Sequence, residues 1–125
     1  MNLLLDSHAF LWWIGGREPL AAGAFEAISD PASVVVVSAA SVWELSIKRA
    51  LGKLTATGVF EEEIADHGFM SLPISVEHAE RAGGLPRHHG DPFDRMLVAQ
   101  AQVEDLVLVT RDPAIAAYDV RTLAC

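Results

Sequence analysis

S-V-V-V-V-S (33–38), followed at once by A-A-S-V-W-E-L-S-I-K (39–48), decides the fold. An unbroken β-branched run is the pattern of a strand buried on both faces, and such strands belong to parallel sheets covered by helices. The period then changes. Trp43, Ile47, Ala50, Leu51 and Leu54 fall on one stripe of a helix spanning 39–54, and that stripe is expected to face the sheet. A strand that passes directly into a helix is half of a βαβ unit.

The same alternation runs in both directions along the chain. Residues 2–6 read as a short buried strand, 7–14 as a helix stopped by Gly15-Gly16, and 19–29 as a second helix. Beyond residue 54, residues 58–67 read as a helix. Residues 69–74 read as an edge strand, because Pro73 cannot donate to a ladder. A helix over 75–83 ends at Gly83-Gly84, residues 85–90 form a loop, and 91–104 form a helix. A strand over 106–110, a short helix over 113–118 and a last strand over 120–123 complete the pattern. The expectation is a single α/β domain over 1–125, a three-layer sandwich. Its central, mostly parallel sheet has five strands, two of them weak, flanked by helices on both faces.

Bulk composition narrows the function. The chain has 125 residues, 51% of them hydrophobic, enough for one domain with a core and too apolar for a disordered chain. No apolar run approaches the roughly 18 residues that a membrane span needs. The start, M-N-L-L-L-D, has no basic segment, which argues against a signal peptide. The one cysteine, Cys125, cannot form an internal disulfide, which fits a reducing cytoplasm. A net charge of −8 argues against broad electrostatic binding to nucleic acid. That charge is unevenly spread. Glu61, Glu62, Glu63 and Asp66 form an acidic run that reads as a solvated helix face. Lys48, Arg49 and Lys53 form a basic cluster that reads either as solvated or as a contact for a phosphate backbone.

Four acids sit where the chain switches from strand to helix: Asp6 after L-L-L, Glu44 past V-V-V-V-S, Asp94 in D-P-F-D-R (91–95), and Asp112 after L-V-L-V-T-R. In an α/β domain the strand ends gather along one edge of the sheet, where ligands bind. Each acid also has a structural reading. Asp6 can cap the helix at Ser7. Ser41-x-x-Glu44 matches a capping box. Asp91-Pro92-Phe93-Asp94 reads as a cap, a first-turn proline and a first-turn acid, and Asp112-Pro113 is a further cap. Taken as a set, the acids read differently. Asp6 lies at the mouth of a central strand. Asp94 shares a helix face with Leu97, Val98 and Ala101, so it points inward, while Asp91 is the better cap. Glu44 has Ile47 and Leu51 at i+3 and i+7, which places it at the edge of the expected buried stripe. Carboxylates brought together repel, and a hard divalent cation such as Mg²⁺ or Mn²⁺ is the simplest compensation.

Other residues carry weaker signals. The five histidines show no metal-ligand spacing, and His88-His89 reads either as polar surface or as a substrate contact beside the acids. Ser7 and Thr110 border Asp6 and Asp112, where either can orient a water at the metal or only finish secondary structure. Arg95 can reach a phosphate or make a surface salt bridge. Trp12, Trp13 and Trp43 read as core, with one of the adjacent pair turned toward an interface.

L-L-L-D-S-H-A-F-L-W-W (3–13), S-V-W-E-L-S-I-K (41–48), H-G-D-P-F-D-R-M-L-V-A-Q-A (89–101) and L-V-L-V-T-R-D (106–112) occur in order. Together they resemble the PIN-domain fold and, within it, the VapC-type ribonuclease toxins of prokaryotic toxin–antitoxin pairs. The resemblance covers nearly the whole chain. It implies that Asp6, Glu44 and Asp94 are the three acids typical of the family and that Asp112 is the fourth, more variable one. It also implies an Mg²⁺- or Mn²⁺-dependent endoribonuclease acting on RNA in the cytoplasm, a VapB-like antitoxin as partner, and a homodimer. The alternatives are a PIN-type RNA-processing nuclease without an antitoxin and a non-catalytic α/β binding module whose acids are all caps. A phospho-acceptor signalling domain fits less well, since the chain has no lysine beyond Lys53 and one acid after its first strand.

Overall fold

Leu3, Leu4 and Leu5 are fully buried and form the body of β1 (Asn2–Leu5), the central strand of a five-stranded sheet. The computed structural model describes residues 1–16 and 20–125. Helices α1 (Ser7–Ile14) and α2 (Ala22–Ser29) follow β1, then β2 (Val34–Ser38), α3 (Ala39–Ala50), α4 (Phe60–Asp66) and β3 (Met70–Leu72). Next come α5 (Val76–Gly84), α6 (Pro92–Glu104), β4 (Val107–Thr110), a 3₁₀ turn (Ile115–Ala117) and β5 (Thr122–Ala124). Residue 19, the expected start of the second helix, lies outside the described residues. The strand order is β3-β2-β1-β4-β5, and every pairing is parallel.

Alternation along the strands builds two cores. Leu3, Leu5, Val35, Val37, Val107 and Val109 face one side, against Phe10 of α1, Ala24 and Ile28 of α2, and Phe60 and Ile64 of α4. Leu4, Val36 and Leu108 face the other, against Ala82 of α5, Leu97, Val98 and Ala101 of α6, and Ile115 and Tyr118. With both faces covered, β1, β2 and β4 can be continuous apolar runs, as parallel strands are. β3 is a short edge strand, and Pro73 follows it directly. Cys125 is buried and free.

The facing of α3 differs from the expectation. Trp43 is 61% exposed and Leu51 63% exposed, and Ile47 is exposed too. The buried residues are Ala40, Ser41, Glu44 and Leu45. The helix lies at the carboxyl edge of the sheet, in contact with α1, α6 and β2. Small residues and Leu45 fill that narrow seat, and the larger apolar stripe is left outward. Trp43 rests edge-on against Phe93 at 5.2 Å. The helix also ends at Ala50, where Leu51 and Gly52 turn back onto Ile47 and Arg49, so Leu54 lies beyond it.

The topology fixes where a site can form. From β1 the chain steps to β2 and β3 on one side, then crosses to β4 and β5 on the other. The connections leaving the carboxyl ends of β1 and β4 therefore diverge, and the crevice between them is where open α/β sheets bind ligands.

Candidate metal centre

All four acids line one cavity of about 480 Å³ at that crevice, together with Ser7, His8, Trp12, Lys48, His89, Asp91, Arg111. Asp6 leaves β1 as the N-cap of α1, its Oδ1 accepting from Ala9 N–H at 2.8 Å. The Thr110 hydroxyl, at the end of β4, hydrogen-bonds the same carboxylate and accepts the N–H of Asp112 at 3.1 Å. Thr110 thus links the acids of the two diverging strands. Asp112 caps its own turn by accepting from Ala114 N–H at 2.9 Å. Cap and site residue are not alternatives for Asp6 and Asp112, because a cap engages one carboxylate oxygen and leaves the other for further contacts.

Glu44 does not cap. The N-cap of α3 is Ser38, so Ser41 lies inside the helix and the capping box does not form. Glu44 is 8% exposed. Its Oε1 accepts from the Ser7 hydroxyl at 2.7 Å, and Lys48 Nζ sits 3.3 Å from Oε2. Its inward position holds even though Ile47 and Leu51, on which that reading rested, face outward. In D-P-F-D-R, Asp91 is the cap, accepting from the N–H groups of Phe93 and Asp94, with Pro92 in the first turn. Asp94 turns inward on the face of Leu97, Val98 and Ala101, all buried.

His89 enters the cluster from the 85–90 loop. Its Nε2 is 2.8 Å from Asp94 Oδ2 and 3.2 Å from Asp112 Oδ2. Donor atoms of His89, Asp94 and Asp112 all lie within 4.8 Å of one another, and this is the one metal-competent grouping found among the described residues. Asp6 and Glu44 line the same cavity outside that tight trio. Sequence spacing did not single out His89, since no second histidine lies at a ligand interval. Its place beside D-P-F-D-R was the available signal.

Arg95 is not free for a phosphate. Its guanidinium donates to the carbonyls of Ala82 and Leu85, each at 3.0 Å, Pro86 at 2.9 Å and His89 at 3.4 Å. It also donates to the Tyr118 hydroxyl at 3.2 Å. In the basic cluster, Arg49 is likewise structural, donating to Gly58 O at 2.8 Å and lying over the Phe60 ring, while Lys48 reaches the cavity. Of the tryptophans, Trp13 packs against Phe25 and Phe69. Trp12 stacks on His8 at 5.5 Å and carries the Arg111 guanidinium 4.0 Å from its ring centre.

Electrostatically the cavity holds carboxylates that resist ionisation. Burial pushes the Asp94 carboxyl up to about 6, with the charges of Asp91 and Glu44 adding to the rise and His89 opposing it. Burial also raises Asp6, against the lowering from its bonds to Ala9 and Thr110. The hydrogen bond to Asp94 lifts His89 above the usual imidazole range, helped by the charges of Asp94, Asp112 and Asp91. Crowded oxygens with elevated proton affinity are a donor set suited to a small divalent cation.

The PIN-domain family model matches residues 3–121. The chain belongs to the PIN-domain family. Within that family it is 32% identical over 119 residues to Ribonuclease VapC22 of Mycobacterium tuberculosis, covering 89% of this chain and 87% of the relative. Among solved structures, this PIN domain superposes on VapBC2 from Rickettsia felis bound to a promoter DNA fragment. The TM-score is 0.66 at 14% identity, over 99% of this chain and 98% of that one. It superposes equally on a toxin–antitoxin complex from Klebsiella pneumoniae, with a TM-score of 0.66 at 20% identity, over 97% and 95% of the two chains. The PIN domain thus shares a fold with both and a traceable sequence with VapC22.

Proposed function

We propose that the chain is a metal-dependent endoribonuclease that uses Mg²⁺ or Mn²⁺, and that it is the toxin of a toxin–antitoxin pair acting on cytoplasmic RNA. The observation that carries this reading is the convergence of Asp6, Glu44, Asp94 and Asp112 on one cavity at the topological switch point. The name of the 32% identical relative supports ribonuclease chemistry, and the complexes that share the fold support an antitoxin partner. The outward stripe of Trp43, Ile47 and Leu51 gives an antitoxin, or a second copy of the chain in a homodimer, an apolar face to cover.

Asp6, Asp94 and Asp112 would hold the metal. The ion, when bound, supplies Lewis-acid charge at the scissile phosphodiester. The chain's own residues do the rest. Thr110 and the Ala9 N–H fix the Asp6 carboxylate in the lining of the cavity. Ser7 and Lys48 hold Glu44 at two oxygens. So anchored, Glu44 would complete the shell or orient the attacking water. Lys48 and Arg111 put positive charge at the cavity of a chain whose net charge is −8, which favours the approach of a phosphate backbone.

The test is cleavage of total cellular RNA by purified protein in Mg²⁺ or Mn²⁺ against EDTA, beside Asp6→Asn. Asparagine keeps the N-cap of α1 while removing the charge, so the variant should fold and lose cleavage. Full activity in that variant would sink the site, and no metal-dependent cleavage by the wild type would sink the enzyme.

A further inference from the structure

We infer that His89 is a ligand of the metal centre, giving an otherwise all-carboxylate site one imidazole nitrogen. This rests on the reading of the cavity as a metal site and adds to it a donor of different chemistry. Three observations carry it.

The first is distance. Ligand atoms around a small divalent ion at about 2.1 Å lie roughly 3 Å apart when adjacent. His89 Nε2 is 2.8 Å from Asp94 Oδ2 and 3.2 Å from Asp112 Oδ2. His89 is thus spaced as an adjacent ligand to each of the two acids, and all three donors lie within 4.8 Å of one another. Asp6 and Glu44, outside this trio, each have one oxygen committed, to Ala9 and to Ser7.

The second is support. The backbone of the loop that presents His89 is itself held in place. The Tyr118 hydroxyl accepts the His89 N–H at 2.9 Å. Arg95 binds its carbonyl and three more along 82–86. A histidine that only decorated the surface would need no such clamp. The arginine of D-P-F-D-R is therefore a positioning residue, acting on the loop that presents His89.

The third is the donor itself. Carboxylates suit Mg²⁺ and Mn²⁺ alike, whereas imidazole suits later transition metals and is a poor partner for Mg²⁺. One nitrogen among oxygens biases the site from Mg²⁺ toward Mn²⁺.

The test compares wild type, His89→Ala and Tyr118→Phe, each checked for folding by circular dichroism. Mn²⁺ and Mg²⁺ binding is measured by calorimetry, and the Mn²⁺-loaded proteins are examined by electron spin echo envelope modulation. A coordinated imidazole gives ¹⁴N modulation in the wild type, which His89→Ala should lose. Loss of an outer partner alone costs about 10–100-fold in affinity, so His89→Ala should weaken Mn²⁺ binding at least about tenfold and Mg²⁺ binding less. Tyr118→Phe should shift Mn²⁺ affinity the same way by a smaller factor. Tighter binding of both ions by His89→Ala, without ¹⁴N modulation in the wild type, would show that His89 only neutralises the acids, overturning the inference. So would unchanged affinity. A wild type that binds neither ion would overturn the metal centre and this inference together.

Discussion

Arg95 shows how much one side chain can organise. Its five acceptors are four carbonyls and a phenol, spread over the end of α5, the 85–90 loop and Tyr118. Removing a charged donor strands those acceptors, and such losses cost about 1–3 kcal/mol for each buried group left unsatisfied. Arg95→Met is therefore expected to destabilise the fold by about 2–4 kcal/mol in urea unfolding. Arg95→Lys should rescue little, because an ammonium cannot reproduce the planar fork. A lysine variant as stable as wild type would show that the charge matters and the fork does not. None of this was legible in the sequence, where Arg95 read either as a phosphate contact or as a surface salt bridge. Its partners are backbone carbonyls, which no side-chain spacing announces. Asp94 was legible, because Leu97, Val98 and Ala101 fix the inward face of the same helix. His89 was visible only as a neighbour, since its ligand-like position depends on the fold of a loop.

At the scale of elements, β1, β2 and β4 were readable because strands buried on both faces leave an unbroken apolar record. Helix boundaries were readable within a few residues for the same kind of reason, through caps such as Asp6 and Asp91, whereas the start of α3 is capped by Ser38 and not by the capping box at Ser41. The facing of α3 was not. An apolar stripe tells which side of a helix avoids water but not whether the sheet or another molecule covers it. Here the sheet takes the side of Ala40 and Leu45 and leaves Trp43, Ile47 and Leu51 outward. This inversion has a measurable consequence within one helix. Leu45→Ala should cost about 2–5 kcal/mol, as a fully buried leucine does. Ile47→Ser should stay within about 0.5 kcal/mol of wild type, as an exposed position does. Chemical denaturation of the two variants decides it. A large loss at Ile47 with a small one at Leu45 would restore the facing that the sequence stripe implied.

The whole molecule sets stability against its site. A net charge of −8 is borne by a fold that gathers several of its acids in one cavity. Asp94 carries the clearest cost, its carboxyl being pushed up to about 6 from 3.8 by burial and by Asp91 and Glu44. Because the folded state binds that proton more tightly than the unfolded chain, its contribution to stability is present below about pH 4. It is lost as pH rises through about 6. Above that, the ionised group works against the fold. In EDTA, Asp94→Asn should therefore gain on wild type between about pH 4 and 7. The gain should reach about 3 kcal/mol at most, each unit of pKa difference being worth about 1.4 kcal/mol. A divalent ion reverses the order. Held at Asp94 as proposed, it would take only the ionised carboxylate, so its affinity would fall as pH drops through about 6. A ligand at 100 times its dissociation constant stabilises the folded state by about 2.7 kcal/mol. Thermal melts of wild type and Asp94→Asn across that range, in EDTA and in Mn²⁺, should then cross: the variant more stable without metal near pH 7, the wild type more stable with it. Parallel curves in EDTA would mean that Asp94 ionises without penalty, and the fold would not be storing repulsion for a cation to relieve.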